Sequence, residues 1–123
     1  MATENVTAAE FNELISTNDM VIIDFWAPWC GPCRSFAPTY EKVSDKHPDI
    51  VFAKVNTEEE EELSSHFQIR SIPTLMIFRE QVVLFAQPGM LSESQLEEVI
   101  GKVREVDMAK VHEEIAKQTP AAE

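Results

Sequence analysis

From Met20 to Trp26 the chain is almost wholly apolar: Val21, Ile22, Ile23 and Phe25 are interrupted only by Asp24. A run of this length reads as a central strand buried on both faces. Upstream, Thr7-Ala8-Ala9-Glu10 fits a capping box, with Phe11, Leu14 and Ile15 forming the apolar stripe of a first helix. Asn18-Asp19 ends that helix, and Ala27-Pro28 ends the strand. From Cys33 onward Phe36, Ala37, Tyr40 and Val43 share a helical face, with Pro38 placed to kink it. His47-Pro48-Asp49 is a stop, and Ile50 to Val55 alternates as a strand with Lys54 near its end. A helix follows from about Glu58, carrying Leu63 and Phe67. Leu75 to Phe78 and Val82 to Ala86, joined by Arg79-Glu80-Gln81, read as a hairpin. Pro88-Gly89 is a turn, and Ser92 caps the next helix.

That helix carries two stripes. Leu96, Val99, Ile100, Val103 and Val106 share one face; Met108, Val111 and Ile115 share another, rotated by roughly a third of a turn. Either one helix turns a new face to a second surface, or a separate helix starts at Asp107. The second stripe packs on its own domain or mediates a dimer, and 119–123 reads as a frayed tail. Helices alternating with strands early and a hairpin late predict an α/β sandwich with a mixed sheet. The 123 residues suit one domain over 1–106, followed by a helical extension and tail over 107–123.

Charge narrows the function. Twenty-two acidic against ten basic residues leave −12, which argues against nucleic acid and against an anionic membrane surface. No apolar run approaches the ~20 residues of a membrane span. Met1 to Asn5 is polar, without the basic and apolar regions of a signal peptide, so a cytoplasmic protein is expected. The run Glu58 to Glu62 reads as a solvated, acidic first helical turn. His47, His66 and His112 are scattered singly and read as surface residues, so no metal site is expected. The seven phenylalanines fall on core faces.

The chemistry lies in Trp29-Cys30-Gly31-Pro32-Cys33, which holds both cysteines of the chain. A bridge across two residues closes too short a loop to stabilise the fold much, so the value of the pair is chemical. The thiolate is the nucleophile, and a helix N-terminus favours it through unpaired N–H groups and the macrodipole. The pair opens a predicted helix after a buried strand. Cys30 is expected to be exposed at the helix end and to attack a substrate disulfide. Cys33, one turn in, is expected to be covered and to resolve the mixed disulfide. Asp24 carries a large burial cost and should titrate high, which suits proton transfer with Cys33. The plainer alternative, a buried acid paired with Lys54, is compatible with that role. The Ile72-Pro73 step is a candidate cis bond.

The run from Asp24 to Arg34, with Pro38, Lys54, the stretch Ile69 to Thr74, and Gly89, resembles the thioredoxin family in residue type and order. The resemblance spans roughly Val6 to Val106. It implies the thioredoxin fold, a central mixed sheet flanked by four helices, here with a C-terminal helical extension. It implies a cis Pro73 against the cysteines and a substrate groove at Trp29, Ile72, Pro73 and Gly89. It also implies a reductase of protein disulfides recharged by an NADPH-dependent thioredoxin reductase, with no bound cofactor beyond the Cys30–Cys33 disulfide. Gly31-Pro32 matches reducing members rather than oxidising ones. Such an activity belongs to electron transport and cell redox homeostasis. A monomer is the expected state.

Three positions depart from the family. Arg79-Glu80-Gln81 lacks a turn glycine, Met90 stands at the groove rim where alanine is common, and the chain continues beyond Asp107. The alternatives are a disulfide isomerase or oxidant, and a non-catalytic binding module docked through the extension.

Overall fold

In the computed structural model, which describes residues 2–118, the apolar run is the middle of the sheet. It forms β2 (Met20–Trp26), whose first six residues are buried. The other strands are β1 (Thr3–Asn5), β3 (Val51–Asn56), β4 (Thr74–Arg79) and β5 (Val82–Pro88), in the order β1-β3-β2-β4-β5. The pairs β1–β3 and β3–β2 are parallel; β2–β4 and β4–β5 are antiparallel.

Strand periodicity divides the core in two. Met20 and Ile22, with Phe52, Leu75 and Ile77, face α2 (Gly31–Lys46) and α4 (Glu93–Glu105) through Phe36, Tyr40, Val43, Leu96, Ile100 and Val103. Val21, Ile23 and Phe25 face α1 (Ala8–Thr17) and α3 (Glu61–His66) through Phe11, Ile15 and Leu63. Each fully buried aliphatic or aromatic side chain contributes about 1.5–3 kcal/mol. Asp24 has the parity of Met20 and Ile22, so it belongs to the face under α2.

Several expectations are refined. A fifth strand, β1, begins the chain; its residues Thr3-Glu4-Asn5 are polar, and its place comes from parallel backbone pairing with β3. At the start of α1, the Glu10 carboxylate accepts from the Thr7 N–H (3.0 Å) and from the Thr7 hydroxyl (2.9 Å). The third helix starts at Glu61, later than about Glu58, because Asn56 Oδ1 accepts the Glu58 N–H at 2.9 Å and holds a turn there. The acidic run is more than a solvated face, since Glu60 Oε1 accepts the Ala8 N–H at 2.8 Å. The helix α2 continues through Pro38 to Lys46.

The hairpin turn without glycine places both Glu80 (φ 51°) and Gln81 (φ 70°) in the left-handed region, as a two-residue type I′ turn requires. Outside contacts hold it: the Glu80 N–H donates to Asp19 O at 2.7 Å, and Glu80 Oε1 lies 2.9 Å from His112 Nε2. The two apolar stripes belong to separate helices, α4 and α5 (Met108–Gln118). Asp107 caps α5 by accepting the Lys110 N–H at 3.2 Å. Met108 is buried, while Ile115 is 40 % exposed. Arg79 fastens the junction, its Nη1 reaching Val103 O, Arg104 O and Val106 O at 3.0–3.1 Å. The tail 119–123 lies outside the described residues. No described helix is long and apolar enough to cross a membrane.

Candidate active site

The cysteines stand where β2 hands the chain to α2. Cys30 is the N-cap of that helix, and its Sγ accepts the Cys33 N–H at 3.1 Å. That N–H is one of the orphan donors of the first turn, and it points at Cys30 Sγ, where it favours negative charge. Pro32, also in the first turn, has no N–H to leave unpaired. The two cysteines form a disulfide with Cα atoms 5.2 Å apart.

Cys30 is less exposed than the sequence reading expected. It is only 4 % accessible, close to Cys33 at 3 %. The reason is the chain segment against it. Ile72 packs on Cys30, Cys33 and Ala27, and Ile72 O stands 3.7 Å from Cys30 Sγ. The Ile72–Pro73 bond is cis. Pro73 O in turn accepts the Gly89 N–H at 2.8 Å. Gly89 has φ 100°, a conformation that favours glycine, while a Cβ there would meet no atom within 4 Å. Cys30, Ile72, Pro73 and Gly89 are therefore joined by direct contacts, and Met90 follows as the next residue. Trp29 and Met90 leave this end of the molecule apolar, at 64 % and 45 % exposure. The Arg34 guanidinium folds back to Pro28 O at 2.8 Å and braces the turn before Trp29.

Asp24 is 1 % exposed and stands in register with Lys54 of β3. Burial pushes its carboxyl up to about 7, against a smaller downward pull from the Lys54 ammonium. The expected direct pairing is looser than the sequence suggested. Lys54 Nζ lies 4.7 Å over the centre of the Trp26 ring, and Asp24 Oδ1 has no protein partner. An acid with this midpoint is present in both protonation states near neutrality, and it lies on the sheet face that α2 covers.

Two supporting residues escaped the sequence reading. The Thr57 N–H and hydroxyl both donate to Trp26 O, at 2.8 and 3.0 Å, and fix the end of β2. Tyr40, read as an apolar face residue, shares its one phenolic proton between Ala53 O (2.7 Å) and Ile22 O (3.0 Å), tying α2 to both central strands. Nothing in the spacing of either residue marks it. The histidines also divide. His66 and His112 are exposed, but the His47 side chain is only 17 % exposed. His47 Nδ1 accepts from Arg104 at 3.0 Å, so Nε2 carries the proton toward Glu97 at 2.6 Å. Among the described residues no group of three or more His, Cys, Asp or Glu side chains could hold a metal ion. A cavity of about 760 Å³ lies between α1 and α3, away from the cysteines.

Comparison with known proteins agrees with this geometry. The sequence profile of the thioredoxin family matches residues 2–102. A Streptomyces coelicolor relative, whose name includes thioredoxin 2, is 50 % identical over 121 residues, covering 98 % of this chain and 90 % of its own. The structure of Plasmodium falciparum thioredoxin superposes with a TM-score of 0.75 at 38 % identity, over 80 % of this chain and 97 % of that one. A mutant thioredoxin from Halobacterium salinarum gives a TM-score of 0.79 at 30 % identity, over 85 % and 92 % of the two chains. A vicinal disulfide-forming pair at a helix N-terminus, in a sheet of this order, is thus no isolated coincidence of spacing: the chain belongs to the thioredoxin family and is a thiol–disulfide oxidoreductase.

Proposed function

We propose that the protein is a dithiol reductant of protein disulfides in which Cys30 attacks and Cys33 resolves. The observation that carries this order is the Cys33 N–H directed at Cys30 Sγ at the start of α2. In the reduced protein that donor stabilises a thiolate on Cys30. The thiolate attacks one sulfur of the substrate disulfide, and the other leaves as a thiolate that takes up a proton. Cys33, once deprotonated, attacks Cys30 of the mixed disulfide, re-forms the Cys30–Cys33 bond and releases the second substrate thiol. Asp24 accepts the Cys33 proton, a role that suits a buried acid with a midpoint of about 7. Lys54 tunes that acid.

Trp29, Ile72, Pro73, Gly89 and Met90 form the groove in which the substrate chain lies, and Gly31 and Pro32 shape the turn between the cysteines. The two electrons return from an NADPH-dependent thioredoxin reductase. The protein works in the cytoplasm as an electron carrier that maintains thiol balance. Residues 1–106 are the redox domain, and 107–123 are an extension to it.

The test is Cys33→Ser. Incubated with a disulfide-bonded protein such as insulin, this variant should accumulate a covalent complex through Cys30 that dithiothreitol releases. Cys30→Ser should accumulate none. A complex that forms through Cys33 instead would reverse the assignment.

A further inference from the structure

We propose that Met90 is a modification site: a hydroperoxide converts its thioether to the sulfoxide, and the oxidised side chain weakens docking of protein disulfides while the Cys30–Cys33 centre keeps its chemistry. The proposal rests on the groove reading above.

Two observations select this sulfur. Among the described residues there are four methionines, and three are sealed in the core: Met20 at 4 %, Met76 at 6 % and Met108 at 5 % exposure. Met90, at 45 %, is open to solvent. In the disulfide state neither cysteine offers a thiolate to a peroxide. The reachable reduced sulfur of the described residues is then Met90. Its position gives the reaction a consequence. Met90 follows Gly89, whose N–H is held by Pro73 O, and the neighbouring Ile72 carbonyl stands 3.7 Å from Cys30 Sγ. A change at Met90 therefore falls on the rim of the redox site.

The step balances simply. The methionine sulfur attacks one peroxide oxygen, the O–O bond breaks, an S=O bond forms, and the other oxygen leaves as water or an alcohol. The thioether loses two electrons and the peroxide gains them. A flexible apolar contact becomes a polar one. The rim, which Met90 shares with Trp29, loses the apolar contribution of one of its two exposed large side chains. A small disulfide that touches only Cys30 does not use the rim. Reversal by a methionine sulfoxide reductase consumes two thiols, which become a disulfide, and releases water.

The test treats the disulfide form with hydrogen peroxide, maps oxygen uptake by peptide mass, then reduces the cysteines and measures two rates. Met90 should gain one oxygen before Met20, Met76 or Met108. The KM for insulin should rise about four-fold, the factor of one lost apolar contact. The rate with the small aromatic disulfide DTNB should not change. In Met90→Leu, peroxide should leave the insulin KM at that variant's own untreated value. Equal oxidation of the buried methionines, an unchanged insulin KM with Met90 oxidised, or an equal rise in Met90→Leu would each overturn the proposal. Failure of the untreated protein to reduce insulin would instead overturn the functional reading beneath it.

Discussion

Replacing Asp24 by asparagine should shift stability in favour of the variant by an amount that grows with pH. In the native state the carboxyl is 1 % exposed and titrates at about 7, against 3.8 for the ordinary group. Between those values the native state holds a proton that the unfolded chain has released. Stability therefore falls as pH rises from about 4 to about 7 and levels off above. At ~1.36 kcal/mol per pKa unit, a shift of about three units amounts to roughly 4 kcal/mol. Asparagine removes the titration. Its buried amide adds an offset of about 1–3 kcal/mol if unpaired, but that offset does not vary with pH. The quantity to follow is thus the difference in unfolding free energy between variant and wild type, from urea titrations of the disulfide form at pH 4 to 8.5. Asp49 and Glu93, whose carboxyls Arg104 and Lys46 hold low, shift stability in the opposite sense. They do so equally in both proteins and cancel. The expected difference moves by about 3–4 kcal/mol in favour of Asp24→Asn between pH 4 and 7 and is flat beyond pH 8. A difference constant to within about 0.5 kcal/mol, smaller than half a pKa unit, would refute the buried, high-titrating carboxyl. The same variant should resolve mixed disulfides more slowly, because in the proposed mechanism the group that destabilises the fold is the one that takes the proton.

Two further substitutions probe the surroundings. Lys54→Met removes the cation that pulls Asp24 down, so the Asp24 midpoint should rise above 7; an unmoved midpoint in the same pH series would show that Lys54 acts only on Trp26. Arg79→Ala strips the donor shared by Val103 O, Arg104 O and Val106 O and should lower unfolding free energy by about 2–3 kcal/mol. Its rate with DTNB should hold, because Arg79 ends β4 beside Met20, at the end of the sheet away from the cysteines.

The redox turn was legible because its chemistry demands both residue types and context. Two cysteines, a buried strand before them and a helix after them are all visible as pattern. The central strand was equally plain, since a seven-residue strand with six buried positions is apolar at all but one of them, Asp24. What escaped are features made by backbone or by single polar atoms. Strand β1 consists of polar residues and is specified by hydrogen bonds to β3 rather than by any alternation. The hydroxyls of Tyr40 and Thr57 bond main-chain carbonyls brought near only by the fold, Ala53 O 13 residues away and Trp26 O 31 residues away. The low exposure of Cys30 depends on Ile72, which is 42 residues away. The turn at Glu80-Gln81 visibly lacks glycine in the sequence, but its anchors on Asp19 and His112 lie in other elements.

The cover over Cys30 has a consequence for how the protein is made. A ribosome extrudes the two cysteines roughly sixty residues before it extrudes Gly89, and at 5–20 residues per second that interval is about 3–12 s. During it the nascent chain holds Cys30 and Cys33 first without Ile72–Pro73 and then without the Gly89 N–H that anchors Pro73. The thiols are then open to any passing disulfide or oxidant. With the proposed groove, selectivity for substrates is acquired late in synthesis, when the Gly89 N–H closes on Pro73 O.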